Sequence, residues 1–124
     1  MNYTKIRIVL KDATELYISE DELTVFKLSG DYHRIDYLND KDQWNRLDGP
    51  AIEWANGDKS WYVDGQKHRL DGPAVDWVGR SKRWYANGQL HRLDGPAYEG
   101  PDGPAEWWIR GRNYTQEAFE KEIQ

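Results

Sequence analysis

The chain has 124 residues, of which 38% are hydrophobic, and a formal net charge of −5. Because phosphate contacts need clustered Lys and Arg, this acidic balance argues against direct nucleic-acid binding. The absence of cysteine excludes a disulfide, a thiolate nucleophile and a Cys-ligated zinc site.

The aromatic content offsets the shortage of aliphatic residues. The seven Trp and eight Tyr each bury a large area, so they can hold together a thin sheet. The sequence has no apolar run of membrane-spanning length and no signal-peptide pattern at its N-terminus. We therefore expect a soluble domain or repeat array that is cytoplasmic and needs no membrane contact, metal or cofactor.

Residues 1–43 are predicted to form an N-terminal β cap or a partner-specific segment. Four strands are expected, at 4–11, 15–19, 23–29 and 32–38. Ser19 followed by Glu22 matches a capping box and would allow a helical turn near 20–24, but Thr24-Val25-Phe26 favours a strand. His33-Arg34-Ile35-Asp36 is similar to a motif that recurs further along the chain, which indicates a decayed repeat.

The middle of the chain is an internal repeat. The hexapeptide Arg-Leu-Asp-Gly-Pro-Ala occupies 46–51, 69–74 and 92–97, each 23 residues after the last. Other positions keep the same step: Trp61, Trp84, Trp107, Gly65, Gly88 and Gly111. The spacing predicts three units, at 46–68, 69–91 and 92–114, within a repeat region that covers 44–114.

Each unit is predicted to contain tight β-hairpins. In the first unit Asn56-Gly57 favours a two-residue turn, and Asp64-Gly65 offers a second. A two-residue turn at 56–57 pairs Trp54 with Lys59, Ile52 with Trp61, Glu53 with Ser60 and Ala51 with Tyr62, and the second unit places Asp76 opposite Arg83. Side chains alternate across a strand, so one face should form the core: Ile52, Trp54, Trp61, Val63, Val75, Trp77, Trp84 and Ala86.

The end of the chain is predicted to be helical. Thr115 can N-cap a short helix over 116–123, in which Phe119 and Ile123 share one face. Because a repeat array needs covered ends, residues 115–124 should form a C-terminal cap. The expected fold class is all-β, an elongated antiparallel array of β-hairpins with a short C-terminal helix.

The repeated residues resemble a known family. The pattern Trp-Tyr-x-(Asn/Asp)-Gly-x-x-His-Arg-x-Asp-Gly-Pro-Ala, at 61–74 and 84–97, is similar to the MORN-like repeats of bacterial, bacteriophage and large-virus proteins. The resemblance covers 44–114 and implies hairpins stacked into a twisted single-layer sheet that serves protein interaction, with lipid contact in some eukaryotic members. The third copy departs from the pattern at Trp107-Trp108 and at Arg110, so it is expected to cap the array.

The second face of the hairpins carries the predicted partner-binding site. This site combines three aromatic and three acidic residues: Tyr62, Tyr85, Trp108, Glu53, Asp76 and Glu99. Exposed aromatic rows commonly anchor interfaces, and acidic neighbours favour a basic partner. The alternative is that the three rings lie over Leu47, Leu70 and Leu93 as a second small core, and the sequence leaves both interpretations open.

A histidine also recurs with the repeat. His68 and His91 each precede an Asp by three residues, and His33 is a weaker third case. Such pairs suit acid–base chemistry, and a metal site would need three or four convergent ligands. Recurrence once per unit instead favours a structural role, in which Asp71 and Asp94 bond to turn amides.

Arginine–aspartate pairs recur in the same way. Arg46, Arg69 and Arg92 lie two residues before Asp48, Asp71 and Asp94. They predict either a charged ladder for a partner or a row of salt bridges between repeats, and the second is favoured. Exposed pairs of this kind contribute about 0–1 kcal/mol each.

The expected function is binding without catalysis, since the sequence has no Gly-rich phosphate loop, nucleophile elbow or zinc motif. We expect a protein-binding module, namely a phage accessory protein that inhibits a host protein such as an antiviral defence component. The viral assignment follows from the resemblance alone. The alternatives are a small or polymeric ligand (a nucleotide signal or a glycan), antitoxin-like neutralisation of a toxin, and nucleic-acid mimicry. An open sheet edge would also permit a homodimer.

Overall fold

The fold is an antiparallel β array flanked by two helices. A computed structural model describes residues 3–124, and within them the chain forms an open eight-stranded sheet, three two-stranded hairpins and two helices. The large sheet contains β1 (Lys5–Val9), β2 (Glu15–Ile18), β3 (Arg34–Leu38), β4 (Ile52–Trp54), β5 (Lys59–Ser60), β8 (Val75–Asp76), β9 (Lys82–Arg83) and β12 (Tyr98–Glu99). The hairpins pair β6 (Tyr62–Val63) with β7 (Gln66–Lys67), β10 (Tyr85–Ala86) with β11 (Gln89–Leu90), and β13 (Trp107–Ile109) with β14 (Arg112–Tyr114). The helices are α1 (Glu20–Ser29) and α2 (Gln116–Glu122), so the predicted all-β array with a C-terminal helix is confirmed.

The repeat units add to the large sheet in sequence order. Its strand order is β12-β9-β8-β5-β4-β3-β1-β2. The first unit supplies β4 and β5, the second supplies β8 and β9, and the third supplies β12. Each complete unit therefore lengthens the sheet by two strands. Among residues 3–124 no helix is long and apolar enough to cross a bilayer.

The N-terminal segment supplies three strands and the main hydrophobic core. Strands β1, β2 and β3 confirm the strands expected at 4–11, 15–19 and 32–38. Helix α1 packs on this part of the sheet through one buried cluster: Ile6, Ile8, Leu23, Ile35 and Tyr37. The units further along have thinner cores, with Ala51, Ile52, Ala74, Val75 and Ala97 buried.

The strand expected at 23–29 is wrong, because this segment is helix α1. The Ser19 side chain accepts a hydrogen bond from the Glu22 backbone, and the Glu22 carboxylate accepts one from the Ser19 backbone. Gly30 ends the helix at a positive φ of 73°. Both ends are thus specified locally, and burial of Leu23 on the sheet outweighs the weak strand preference of Thr24-Val25-Phe26.

The predicted pairing of the first hairpin is wrong by one residue. Ile52 lies opposite Ser60 and Glu53 opposite Lys59, because the turn has three residues, 55–57. Gly57 adopts a φ of 98°, and Asn56 Oδ1 accepts a hydrogen bond of 2.9 Å from the Asp58 backbone. In the second unit Val75 lies opposite Arg83 and Asp76 opposite Lys82, so the predicted Asp76–Arg83 pair is also wrong.

The shifted register changes which side chains form the core. A slip of one residue moves a side chain to the opposite face of the sheet. Of the eight residues predicted for the core face, only Ile52 and Val75 are buried. The others are half-buried: Trp54, Trp61, Val63, Trp77, Trp84 and Ala86.

The chain leaves the large sheet at Trp61 and Trp84 to form a second band of hairpins. Asp64-Gly65, Asn87-Gly88 and Arg110-Gly111 all have positive φ angles of 49–80°, as a type I′ turn requires. This confirms the tight turn expected at 64–65. The hairpins are joined across units, since Gly88 N donates to Lys67 O and Gly111 N donates to Leu90 O, both at 2.9 Å.

The C-terminal helix ends the array. Its predicted N-cap is confirmed, because the Thr115 side chain accepts a hydrogen bond of 3.1 Å from Ala118 N. Phe119 is buried with its ring centroid 6.5 Å from that of Trp107, whereas Ile123 is exposed. Helix α2 therefore covers the last hairpin through a single aromatic side chain.

Candidate functional site

The loop that contains Arg-Leu-Asp-Gly-Pro is built around its own arginine. In the second unit Arg69 donates through Nε to Asp71 at 2.9 Å and through Nη1 to the Pro73 carbonyl at 3.0 Å. A Cβ atom at Gly72 would lie 2.7 Å from Arg69 Cζ, so only glycine leaves room for the guanidinium. The first and third loops repeat the arrangement around Arg46 and Arg92.

The same arginine joins its unit to the preceding one. Arg69 Cζ lies 3.8 Å from the centroid of the Trp61 ring, and Arg92 Cζ lies 3.9 Å from that of Trp84. Arg46 Cζ lies 4.0 Å from the Tyr37 ring, which takes the place of a tryptophan before the first unit. The predicted salt bridges between repeats are therefore wrong. The ion pair lies within each loop, and each of these arginines contacts the preceding unit through a cation–π contact.

Two equivalent grooves separate the three loops. The first groove has a volume of about 540 Å³, and its walls include Leu47, Trp61, Val63, His68, Leu70 and Asp71. The second groove has a volume of about 550 Å³ and is lined by the residues one unit further on: Leu70, Trp84, Ala86, His91, Leu93 and Asp94. The repeat thus produces the same chemical environment twice.

The tips of the loops expose a leucine and an aspartate in every unit. Leu47, Leu70 and Leu93 are 67%, 83% and 54% exposed. The Asp71 side chain is 88% exposed, whereas that of Arg69, which pairs with it, is only 23% exposed. We call these residues the loop-tip row: Leu47, Leu70, Leu93, Asp48, Asp71 and Asp94. A molecule that approaches the loops first meets leucines and carboxylates.

The recurring histidines form hydrogen bonds between units. His68 Nδ1 accepts from Asn87 N at 3.0 Å, and His91 Nδ1 accepts from Arg110 N at 2.9 Å. Asn45, the equivalent residue just before the first unit, does the same through Oδ1 for Asp64 N at 2.8 Å. Burial and the nearby Arg110 lower the pKa of His91, which favours the neutral ring that can accept this bond.

The carboxylates near the histidines have other partners. Asp71 and Asp94 bind the arginines of their own loops and hold them there, and each carboxylate also interacts with its own backbone amide in the turn. Asp36 is buried and binds Arg7 and Arg34 at 2.8 and 2.9 Å. The structure therefore gives His68 and His91 and the aspartates that follow them conformational roles.

The predicted aromatic row lies in the second band. Tyr62, Tyr85 and Trp108 occupy equivalent positions in β6, β10 and β13, and all three are half-buried. The Tyr62 ring centroid lies 5.2 Å from that of Trp44, and burial raises the pKa of Tyr62. The exposed leucines rule out a second small core of these rings over Leu47, Leu70 and Leu93.

The predicted acidic row lies in the large sheet and is interrupted by lysines. Glu53 lies opposite Lys59, Asp76 lies between Lys59 and Lys82, and Glu99 lies opposite Lys82. The sequence of charges across the strands is therefore Glu–Lys–Asp–Lys–Glu. The six predicted site residues are thus divided between the large sheet and the three separate hairpins, and lysines alternate with the acidic half.

The leucines of the loop-tip row were predicted only as an alternative second core and not as a binding surface, although the sequence contains a signal of their exposure. A leucine recurs every 23 residues among turn-forming residues, where an apolar side chain has no strand or helix periodicity to bury it. Comparisons of the chain with protein-family models, with curated proteins and with solved structures find no match. The function of this surface is therefore inferred from its own geometry.

Proposed function

We propose that the chain is a non-enzymatic protein-binding module that holds its partner on the loop-tip row. The observation that carries this proposal is the repeated exposure of Leu47, Leu70 and Leu93. Single exposed leucines are ordinary, but a regular row beside grooves provides an apolar surface that a partner can cover. The loops are held by internal bonds, so binding would cost little conformational entropy.

The charges of the row favour a basic partner. The arginine side chains are only 19–23% exposed, whereas the paired aspartates are 68–88% exposed. The surface therefore presents negative charge to solvent, in agreement with the net charge of −5. The basic partner expected from Glu53, Asp76 and Glu99 is thus supported by a different set of carboxylates.

The MORN-like resemblance adds a biological setting to the proposal. We propose that the module is part of a phage accessory protein that acts in the host cytoplasm. The partner would then be a host protein, for example an antiviral defence component, and binding would inhibit it. This part of the proposal is supported by the repeated residues at 61–74 and 84–97.

The proposal is tested by affinity capture with matched leucine variants. The wild-type chain and a Leu28→Ala variant should capture the same host protein, because Leu28 is 84% exposed but lies on helix α1. A triple variant with Leu47, Leu70 and Leu93 changed to Ala should lose it while keeping its melting temperature. Equal capture by all three chains, or no specific capture by the wild type, would contradict the proposal.

A second candidate function is the binding of a small or polymeric ligand. The two grooves, of about 540 and 550 Å³, have equivalent linings, as a ligand with a repeating unit would require. A nucleotide signal or a glycan that binds only the folded chain should raise its melting temperature. A screen in which no compound raises the melting temperature would count against this candidate.

A further inference from the structure

The spacing of the loop-tip row restricts the conformation of a partner that follows it. Each unit adds two strands to the large sheet, and neighbouring strands lie 4.7–4.9 Å apart, so equivalent side chains recur at roughly 9.6 Å. A ligand that contacts successive units in the same way must present equivalent groups at about this distance.

A polyproline II segment satisfies this requirement. It has three residues per turn and rises 3.1 Å per residue, so every third side chain points the same way at about 9.3 Å. In a β-strand, side chains three residues apart point to opposite faces. In an α-helix, the side chain that points in nearly the same direction is seven residues further on and about 10.5 Å away. This spacing exceeds that of the units, and the difference accumulates from one unit to the next.

The chemistry of the row specifies the residue that recurs. An arginine or lysine has an apolar stem that can lie along an exposed leucine and a cationic end that can reach a carboxylate. Leu70 and Asp71 are neighbours at one loop tip, and Leu93 and Asp94 at the next. Arg69 lowers the pKa of Asp71, which keeps this carboxylate ionised at neutral pH.

We infer that the loop-tip row binds a polyproline II segment that carries a basic residue at every third position. The inference rests on the proposed function and names the chemistry of the partner at the same surface. The basic side chains contact the exposed aspartates of successive loop tips, and the prolines between them cross the leucines. Proline suits these intervening positions because its fixed φ favours the polyproline II conformation before binding.

The test uses two synthetic peptides of identical composition. One contains four Arg-Pro-Pro triplets, and the other contains four arginines followed by eight prolines. We expect the triplet peptide to bind about tenfold more tightly by fluorescence anisotropy. Leu70→Ala and Asp71→Asn should each weaken its binding several-fold, whereas Leu28→Ala and Asp31→Asn, which change exposed residues elsewhere, should not.

The outcomes separate this inference from the proposed function. Equal affinity for the two peptides, or undetectable binding of both, would overturn the inference. The affinity capture described above would still decide the proposed function. Because Leu70 is 83% exposed, its replacement by Ala leaves the fold intact, so loss of peptide binding in that variant reports on the surface itself.

Discussion

The guanidinium of Arg69 lies over the ring of Trp61, with Cζ 3.8 Å from the ring centroid, and this contact joins two repeat units. The same guanidinium bonds to Asp71 and to the Pro73 carbonyl, so one side chain both shapes its loop and connects the units. The hexapeptide repeat is thereby explained by physical contacts. The arginine, aspartate, glycine and proline have structural roles, whereas the side chains of Leu70 and Leu93 are mostly exposed.

Replacement of Arg69 by Ala should destabilise the array. It removes two hydrogen bonds and a cation–π contact from a side chain that is mostly buried, and we expect a loss of about 2–3 kcal/mol. Arg69→Lys should recover only part of this, because an ammonium cannot reproduce the planar contact. Urea denaturation measures the stability of both variants, and Arg112→Ala, which changes an exposed arginine, is the control. An unchanged unfolding midpoint for Arg69→Ala would contradict the proposed link between units.

Replacement of Gly72 by Ala should also destabilise the fold. The added Cβ would lie 2.7 Å from Arg69 Cζ and would displace the guanidinium, at a cost of about 1–3 kcal/mol. Gly103 provides the matched control, because a Cβ there meets nothing within 4 Å. We expect Gly103→Ala to change the melting temperature little. Equal effects of the two substitutions would show that backbone entropy, and not contact with the arginine, determines the result.

Stability should fall as the pH is lowered below about 6.5, the ordinary pKa of histidine. The pKa of His91 is lowered in the folded chain, so the unfolded chain binds a proton more readily. The contribution of the His91–Arg110 hydrogen bond is therefore complete above this pH and is lost as the pH decreases. Urea midpoints measured between pH 8 and pH 5 would test this.

An asparagine at position 91 is the control for this pH dependence. Asn45 already accepts the equivalent hydrogen bond from Asp64 of the first unit, so His91→Asn retains an acceptor that does not titrate. We expect the variant to show a smaller decrease in stability on acidification than the wild type. Identical pH profiles for the two chains would assign the dependence to other groups.

Replacement of Tyr62 by Ala should destabilise the second band of hairpins. The half-buried Tyr62 ring packs against Trp44, so its removal should cost about 2–4 kcal/mol. Tyr17, which is 61% exposed on edge strand β2, is the matched control, and Tyr17→Ala should have a much smaller effect. A Tyr62→Ala chain that keeps its stability but loses its partner would restore the predicted aromatic binding site.

The repeat and its tight turns could be predicted from the sequence because they depend on local residue chemistry. A hexapeptide that recurs three times identifies the unit, and Asp64-Gly65 has the positive φ angles that such a pair favours. Thr115 likewise caps the final helix through a contact three residues away. In each case the residues that determine the local structure are close together in the sequence.

Register and surface exposure were harder to predict, because they depend on distant contacts. Asn56-Gly57 occurs in hairpin loops of both two and three residues, and the difference of one residue moved Glu53 opposite Lys59. Helix α1 needed a sheet surface on which to bury Leu23. The exposure of Leu70 depends on the loop arginine, which folds inward and leaves the leucine side chain outside.

The pairing of Trp107 with Phe119 shows how this protein could change in size during evolution. The rings of Trp61 and Trp84 contact an arginine of the following unit, whereas the ring of Trp107 contacts a phenylalanine of α2. The terminal helix therefore closes whichever unit comes last. Duplication of residues 69–91 would create only contacts between units that already occur in this chain. Each added copy would extend the loop-tip row by one leucine and one aspartate.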